Sequence, residues 1–401
     1  MSAPKVKYDL KIQFGSEYGP EEEAAIIDVM RKGAPTSGDA CIQFENEFAA
    51  YCGTKFARAT SNGTASLFLS MLALGVGPGT RVITTPVTWI ATAAAAVTLG
   101  AEIDFADVDP VTYNIDPNKL AERLTPNTKV VAPVHLYGQC CDMDALLSLS
   151  KEHGFAIVED ACHTVGGEYK GRKAGSLGAA GCFSFHEQKN MSTIGEGGMI
   201  VTDDPGVFER VALYRSHCTR VYGKSTKYCA IDEAVLPMGK RFWGQDFDDC
   251  GYNFRMTDMQ AAVGIIQLRK LDELNRKRIE NAAYITEGLS GVPGLTLPRV
   301  MPGCKHVFHL YPVEIHEAEF GMNKEDFIYA MLYERGVKVG AHYIPLHWVT
   351  AFRKRGFKRG MFPVADAVGE RIVTLPINPR QTHEALDYLI DSVRALSRAG
   401  R

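Results

Sequence analysis

The sequence predicts an α/β protein whose large domain has three layers, α/β/α, around a mostly parallel sheet. Between residues 57 and 204, short runs rich in β-forming residues alternate with helical stretches. This alternation is typical of a doubly wound sheet, in which helices connect parallel strands. The runs are apolar almost throughout, as in "RVITTPV", "KVVAPVHLYG" and "FAIVEDAC", which predicts strands that are covered by helices on both faces.

A change of pattern near residue 256 divides the chain into two predicted domains, 1–256 and 257–401. Residues 205–255 are less regular, and "KRFWGQDFDDCGYNFR" within them is typical of a long functional loop. Thr257 can cap the long helical stretch that follows it. Mixed α and β segments then lead to a C-terminal helix, which predicts a smaller α+β domain.

Composition and charge exclude several classes of protein. The chain is 46% hydrophobic with a formal net charge of −3, so we expect a globular protein without a nucleic-acid or membrane-surface footprint. Its ten cysteines are scattered without a C-x-x-C pair, which indicates reduced thiols. The N-terminus has no apolar signal core, and the longest apolar run, "WIATAAAAVTL", is too short to span a bilayer. These features predict a soluble cytoplasmic protein.

The first candidate functional segment is "TSNGTASLF". A short strand reaches Ser61 and Asn62, Gly63 turns the chain, and Thr64 and Ala65 open a helix. Free backbone N–H groups at a helix start, with the helix dipole behind them, can bind a phosphate. Taken alone, however, this stretch is more typical of an ordinary helix cap.

A second candidate is Asp160, which lies where the apolar strand of "AIVEDACH" ends. A helix cap or a buried hydrogen-bonded acid explains this residue equally well. The functional alternative is a carboxylate held against the cationic nitrogen of a heteroaromatic ring, in a dry site that strengthens the pairing.

The third candidate is Lys189, in "SFHEQKNMSTIGEGGMIVTDD". Most lysines are solvated, but this one lies between a strand end and a glycine-rich turn. Ser184 can donate to a phosphate, and Gly195, Gly197 and Gly198 permit close backbone approach. A lysine desolvated in such a place has a lowered pKa and is suited to Schiff-base chemistry.

Trp89 follows the strand end of "TTPVTW" and offers a flat ring for stacking, although a core-filling tryptophan is the alternative. Stacking contributes only about 0.5–1.5 kcal/mol, so the indole would orient a ring and not anchor it. A phosphate cradle, a ring-nitrogen acid, an aromatic plate and a Schiff-base lysine are together the groups that pyridoxal 5′-phosphate (PLP) requires.

The chain resembles the DegT/DnrJ/EryC1/StrS sugar aminotransferase family, within the fold-type I, aspartate aminotransferase-like PLP enzymes. The motifs that carry the resemblance run from about residue 30 to 380. They are "SNGTAS", "TTPVTWIATAAA", "VHLYGQCCDM", "VEDACHTVGG", "FSFHEQKNMSTIGEGGMIVT", "GYNFRMTDMQAAVG" and "LPINP".

The resemblance implies a role for individual residues. Lys189 would join the cofactor aldehyde covalently, Asp160 would pair with the ring nitrogen, and His163 would lie near the phenolic oxygen. Asn253 would reach the phosphate of the neighbouring subunit's cofactor, so the resemblance also implies a homodimer with shared active sites. Four residues would hold the phosphate within one subunit: Gly63, Thr64, Ala65 and Ser184.

The activity that the resemblance implies is transfer of an amino group from L-glutamate or L-glutamine to a keto sugar in amino-sugar biosynthesis. A nucleotide-linked 3- or 4-keto-deoxysugar is favoured, and a keto-cyclitol of the scyllo-inosose type is the alternative. Candidate substrate residues are His309, His342, Arg241 and Arg255, although solvated loop charges explain each arginine more simply. No metal is expected, because no carboxylate or cysteine falls at ligand spacing beside these histidines.

Three rival functions differ from transamination. Some family members are dehydratases with histidine in place of the Schiff-base lysine, so the presence of Lys189 favours transamination. A PLP-bound sensor without turnover is disfavoured by the complete catalytic set and by the absence of a DNA-binding appendage. A nucleotide-dependent dehydrogenase is disfavoured because "GVGPGT", at 75–80, follows a helix and precedes a strand, the reverse of the required context.

Overall fold

The computed structural model of the chain describes residues 15–33, 36, 38–221 and 245–397. The strands in these ranges are short, mostly of two to five residues. They are β1 (Phe56–Thr60), β2 (Arg81–Thr84), β3 (Glu102–Phe105), β4 (Thr128–Ala132), β5 (Ala156–Asp160), β6 (Glu168–Tyr169), β7 (Arg172–Lys173), β8 (Ala180–Ser184), β9 (Gly198–Thr202), β10 (Thr219–Val221), β11 (Gln245–Phe247), β12 (Leu295–Thr296), β13 (Cys304–Lys305), β14 (Tyr311–Ile315) and β15 (Ile372–Leu375).

Helices connect most of these strands, and two short 3₁₀ turns lie at Leu136–Gly138 and Leu346–Trp348. The α-helices are α1 (Pro20–Lys32), α2 (Asp39–Cys52), α3 (Gly63–Ala73), α4 (Ala91–Thr98), α5 (Pro117–Ala121), α6 (Met143–His153), α7 (Pro205–Arg215), α8 (Asp258–Leu289), α9 (Glu317–Phe320), α10 (Lys324–Tyr333), α11 (Thr350–Arg353), α12 (Pro363–Arg371) and α13 (His383–Leu396).

The central sheet has seven strands in the order β1-β9-β8-β5-β4-β2-β3. Neighbouring strands from β8 to β3 pair in parallel, whereas β9 is antiparallel to both β8 and β1. Six strands therefore run in one direction and only β9 is reversed. This confirms the predicted α/β class with its mostly parallel sheet.

Successive strand residues face opposite helical layers, as the uninterrupted apolar runs predicted. Val130 and Val158 pack in one core with residues of α3, α4 and α7. Val131 and Ile157, their immediate neighbours, pack in a second core with residues of α2, α6 and α8. Each strand is thus buried on both faces, which confirms the three-layer arrangement.

The direction of the strands places the chemically interesting residues together. Because six strands run the same way, the ends of β1, β5 and β8 lie at one edge of the sheet. The chain leaves β8 and returns directly as β9, so the segment 185–197 between them lies at that same edge. Lys189 belongs to this segment.

The C-terminal part has its own antiparallel sheet, in the order β12-β14-β15. Apolar residues of α8, α10 and α13 pack with this sheet in a third core. Thr257 caps α8 as predicted, since its hydroxyl accepts from the N–H of Gln260 in a capping box. The boundary at residue 256 stays a prediction, because α8 also packs against α1 and α2. No helix in the described ranges combines the length and hydropathy needed to cross a membrane.

A buried carboxylate fixes the strand that carries Asp160. The side chain of Glu159 is fully buried and accepts from the backbone N–H groups of Gly175 (2.8 Å) and Leu177 (2.7 Å). It also contacts His135 Nε2 at 2.8 Å. Because His135 Nδ1 accepts from the Cys141 N–H, Nε2 carries the proton and donates to Glu159. One carboxylate thereby joins β5 to two loops beside the sheet edge.

We expect Glu159→Ala to lower the free energy of unfolding by about 3 kcal/mol or more, because several buried donors would lose their acceptor. Chemical denaturation monitored by circular dichroism measures this change. The exposed Glu287→Ala on α8 is the control and should leave stability within about 0.5 kcal/mol of the unmodified protein. Equal stability of both variants would contradict the role assigned to this carboxylate.

Candidate active site

A cavity of about 680 Å³ lies at the sheet edge where the strand ends meet. Segments from the large sheet form one side, and residues from the C-terminal part, between 309 and 377, form the other. Most of the residues predicted from the sequence line it: Gly63, Thr64, Trp89, Asp160, His163, Ser184, Lys189, His309 and His342.

One end of the cavity is the start of α3. Asn62 is the helix cap, and its side chain accepts from the Ala65 N–H at 2.9 Å. The N–H groups of Gly63 and Thr64 have no acceptor among the described residues, so they are available to a ligand together with the hydroxyl of Ser184. A Cβ on Gly63 would lie 2.7 Å from the Cβ of Ser184, so only glycine fits between the helix start and β8.

The carboxylate of Asp160 is held from two sides. Its Oδ2 accepts from the hydroxyl of Thr92 at 2.6 Å, and its Oδ1 accepts from the N–H of Cys162 at 3.1 Å. The residue is 5% exposed and lines the cavity. Thr92 is the second residue of α4 and was not singled out by the sequence, because the contact spans 68 residues.

The loop that carries Lys189 is closed by its own backbone hydrogen bonds. The N–H groups of Phe185 and Glu187 donate to the carbonyls of Gly197 and Gly195, and Gly195 adopts a φ of +95° that favours glycine. The Lys189 amine has no hydrogen-bond partner among the described residues and faces the cavity.

Electrostatics in the cavity favour a neutral amine. Burial lowers the pKa of Lys189, and the nearby Cys162, Asp160 and Glu196 oppose this shift only in part. A larger fraction of this lysine is therefore the nucleophilic free amine near neutral pH than for a solvated lysine.

Three rings meet in the cavity: one follows β5 at the sheet edge, and two come from the C-terminal part. His163 Nε2 lies 3.1 Å from the hydroxyl of Tyr343, and its ring centroid is 4.4 Å from that of His309. Burial, followed by the charge of Lys189 and then of His342, holds the pKa of His163 well below its ordinary value. His163 Nδ1 is buried and has no partner in the described part of the chain, so a ligand can use it.

Trp89 lies at the mouth of the cavity and is 60% exposed, so it is not a core-filling residue. Its ring centroid is 6.1 Å from that of Tyr343, at an interplanar angle of 54°. The two rings border the opening, and the indole face is accessible to a planar ligand. On the opposite wall, His342 Nδ1 lies 2.6 Å from the hydroxyl of Thr374, and burial, followed by the charge of Lys189, lowers the pKa of this histidine to about 4.

Two predicted residues of the described ranges, Asn253 and Arg255, do not line the cavity within one chain. Asn253 is exposed, and its backbone bridges to Ser216. Arg255 donates to the hydroxyl of the same serine at 2.8 Å. Arg241 lies outside the described residues. In addition, the N–H of Ala65 is already used by the helix cap, so Ala65 offers the cavity less than Gly63 and Thr64.

The sequence missed four cavity residues: Thr92, beside Asp160, and the lining residues Glu196, Lys338 and Tyr343. Two of them lie near residues that were singled out, since Tyr343 follows His342 and Glu196 stands within the glycine-rich turn. Lys338 belongs to no motif, and only the packing of the C-terminal part places it here. Within the described residues, no group of three or more histidine, cysteine, aspartate or glutamate side chains could hold a metal ion.

The fold and the site together define an α/β protein with a desolvated lysine at the edge of its parallel sheet. The chain belongs to the DegT/DnrJ/EryC1/StrS aminotransferase family, which matches residues 17–394 and depends on PLP. It is therefore an aminotransferase, and its family confirms the resemblance seen in the sequence.

Relatives and solved structures agree with this assignment. The chain is 38% identical over 94% of both chains to the spore coat polysaccharide biosynthesis protein SpsC of Bacillus subtilis. It is 34% identical to the dTDP-3-amino-3,4,6-trideoxy-α-D-glucose transaminase of Streptomyces venezuelae, over 98% of this chain and 96% of the relative. The crystal structure of DesV from S. venezuelae, 34% identical, matches 98% of both chains with a TM-score of 0.85.

The lowered pKa of Lys189 can be measured without any cofactor. In competitive acylation of the cofactor-free protein across a pH series, we expect the Lys189 amine to titrate below the lysine side chain of a solvated peptide included as the internal standard. Glu196→Gln should move the Lys189 midpoint further down, because the carboxylate raises this pKa and its removal leaves burial less opposed. A Lys189 midpoint equal to that of the peptide standard, or one raised by Glu196→Gln, would contradict this account of the electrostatics.

Proposed function

We propose that this protein uses PLP to move an amino group from L-glutamate or L-glutamine to a keto sugar. The observation that carries the proposal is the meeting, in one cavity, of the desolvated Lys189 amine with the buried Asp160 carboxylate and the open N–H groups at the start of α3. A nucleotide-linked 3- or 4-keto-deoxysugar is the proposed acceptor.

The groups in the cavity fit PLP part by part. The N–H groups of Gly63 and Thr64 and the hydroxyl of Ser184 suit a phosphate, and they lie at the positive end of α3. The buried Asp160 suits a protonated ring nitrogen, and the free Nδ1 of His163 suits a phenolic oxygen. Solved neighbours of this fold include PLP-bound and PMP-bound forms, which supports the same cofactor here.

When bound, PLP supplies an aldehyde that condenses with amines and a ring that withdraws electrons from the carbon next to the nitrogen. Lys189 would hold the cofactor until the donor's amine displaces it. Its neutral amine can then take the proton from the donor's α-carbon, and in the return half-reaction it can give a proton to the acceptor carbon. Burial supports this role, since it lowers the pKa of the amine toward working pH.

The other residues would bind, orient and exclude water. Asp160, held by Thr92, would keep the ring nitrogen protonated, because a carboxylate in a poorly solvated site favours the adjacent positive charge. Trp89 would cover the ring face. His309 and His342, from the C-terminal part, would contact the substrate above the cofactor, and Arg241 and Arg255 remain candidates for its charged groups.

The sugar assignment is supported by the names of the relatives. One is described as a transaminase that makes a dTDP-linked amino sugar, and another serves spore coat polysaccharide biosynthesis. A keto-cyclitol is the remaining alternative acceptor. Adding candidate amino sugars and aminocyclitols to the PLP-loaded protein, and recording which one changes the cofactor absorbance, identifies the class.

We expect Lys189→Ala to abolish turnover and the absorbance of the lysine-bound cofactor, because Lys189 is the cavity amine close to Asp160, whereas Lys338, the other lysine of the described lining, belongs to the C-terminal wall. Borohydride reduction followed by peptide mapping should label position 189 in the unmodified protein. Lys151→Ala, at an exposed helix position, is the control and should behave like the unmodified protein.

Two outcomes would overturn the proposed function. A Lys189→Ala protein that keeps both its yellow colour and its turnover would remove Lys189 from the chemistry. A loaded protein whose spectrum does not respond to L-glutamate or L-glutamine would point to a PLP-bound sensor instead.

An active site shared between two subunits can be tested separately by mixing two inactive variants. Asn253 is exposed and outside the cavity of its own chain, which supports the proposal that it serves the neighbouring subunit of a homodimer. Asn253→Asp should be inactive, because a carboxylate would repel the phosphate. Mixing it with Lys189→Ala should then restore about a quarter of the activity, since half of randomly mixed dimers carry one complete site. Mixed protein that stays inactive would show that Asn253 does not act across an interface.

A further inference from the structure

The cavity has two lysines and no other permanent cation among the described residues that line it. They are Lys189, which the proposed function already uses, and Lys338. Lys338 is exposed, and it has no hydrogen bond or ion pair with any described residue. An uncommitted ammonium group in a binding cavity is free to pair with a ligand, whereas a lysine within a surface ion pair is not.

The backbone around Lys338 determines the direction in which its side chain points. The next residue, Val339, is 8% exposed and packs in the core of the C-terminal part. Gly340 exchanges two backbone hydrogen bonds with Thr374, at 3.0 and 2.8 Å, so the segment lies against the end of β15. Since successive side chains of an extended segment face opposite sides, burial of Val339 turns Lys338 toward the cavity.

A second cation lies behind the same wall. Arg278 of α8 is 2% exposed, and no carboxylate of the described residues pairs with it. Its Nη1 donates to the carbonyl of Ile377, a residue of the cavity wall, at 3.1 Å, whereas its Nε is buried without a partner. Buried charges are nearly always paired, so this guanidinium marks a place where negative charge is missing.

The effect of Arg278 reaches the cavity. Burial is the main cause that holds the pKa of His309 well below its ordinary value, and the neighbouring His163, Lys189 and Arg278 add to it. Burial also lowers the pKa of Arg278 itself to about 10, so the guanidinium remains a cation at neutral pH.

The acidic residues of the cavity do not form ion pairs with Lys338 or Arg278. Asp160 is held by Thr92 and by the N–H of Cys162 on the other wall. Glu196 is exposed and lies 4.0 Å from His186 in the lysine loop. No described acid lines the C-terminal wall, where Lys338 and the Arg278-bound Ile377 stand. That wall therefore carries an unbalanced positive charge.

We propose that Lys338, with Arg278 behind it, is the binding site for the anionic group of the substrate, a carboxylate or a phosphate. This inference rests on the proposed function, in which donor and acceptor occupy the cavity in turn. Glutamate carries a carboxylate and a nucleotide-linked sugar carries a diphosphate, so one lysine can serve both half-reactions. The site is separate from the phosphate-binding start of α3, which belongs to the other wall.

The test compares Lys338→Gln with the charge-conserving Lys338→Arg and with Lys354→Gln, a matched change at an exposed lysine outside the cavity. Two probes are titrated by calorimetry into the PLP-loaded protein: 2-oxoglutarate for the donor's carboxylates and dTDP for the acceptor's diphosphate. We expect Lys338→Gln to raise the Kd of at least one probe by about tenfold or more, as for loss of a charge-assisted hydrogen bond. Lys338→Arg should recover most of the affinity, and Lys354→Gln should change neither Kd.

Each outcome is decisive. If Lys338→Gln raises the Kd of 2-oxoglutarate alone, Lys338 binds the donor's carboxylate. If it raises the Kd of dTDP alone, Lys338 binds the acceptor's phosphate. If neither Kd changes beyond that of Lys354→Gln, the proposal is overturned. The same titrations on the cofactor-free protein separate this inference from the proposed function. If the protein takes up no PLP but Lys338→Gln still lowers its affinity for dTDP, the proposed function is contradicted and the anion site is supported.

Discussion

The Lys189 side chain is half-buried at the edge of a parallel sheet, and the rest of the site depends on this partial removal from water. Burial lowers the pKa of the amine, while Asp160, Cys162 and Glu196 raise it. As a result the Lys189 amine is neutral more often than that of a surface lysine. The nearby Asp160 carboxylate is held by hydrogen bonds from Thr92 and from the N–H of Cys162. Because Lys189 and Asp160 are not hydrogen-bonded to each other, the surrounding structure must hold both side chains in place.

The frame comes from strand direction and close backbone approach. β1, β5 and β8 end at one edge, and the reversal from β8 to β9 returns the lysine loop to that edge. Gly63 stands where a Cβ would meet Ser184 at 2.7 Å, so the helix start, the strand end and the loop can touch. The fully buried Glu159 fixes the strand beneath Asp160 through its bonds to His135 and to neighbouring loops. The site is therefore built on the core and not on mobile surface segments.

The C-terminal part supplies what the sheet edge lacks. Its rings, including Tyr343 against His163, line the side of the cavity that faces the sheet edge. Its wall also carries the positive charge of Lys338 and Arg278, which the acids of the opposite wall do not balance. Under the proposed function, the chemistry would lie at the sheet edge and the recognition of the anionic substrate on the facing wall. The reaction and the choice of substrate would then depend on two different parts of the chain.

The α/β fold and the core of the candidate site were predictable from the sequence, because the patterns that indicate them lie within short segments. Apolar runs alternating with helices indicate a parallel sheet, and parallel strands must end at one edge, so Gly63, Asp160 and Lys189 could be brought together without coordinates. The tertiary structure alone decided the contacts between distant segments. Thr92 reaches Asp160 across 68 residues, and Tyr343 reaches His163 across 180. No periodicity or motif encodes such pairs, because the first depends on how α4 packs beside β5 and the second on how the C-terminal part packs over the sheet edge. For the same reason Lys338 and Arg278 are ordinary basic residues in the sequence. Only the structure shows that Lys338 lines the cavity without an ion pair and that Arg278 is buried without a counter-charge.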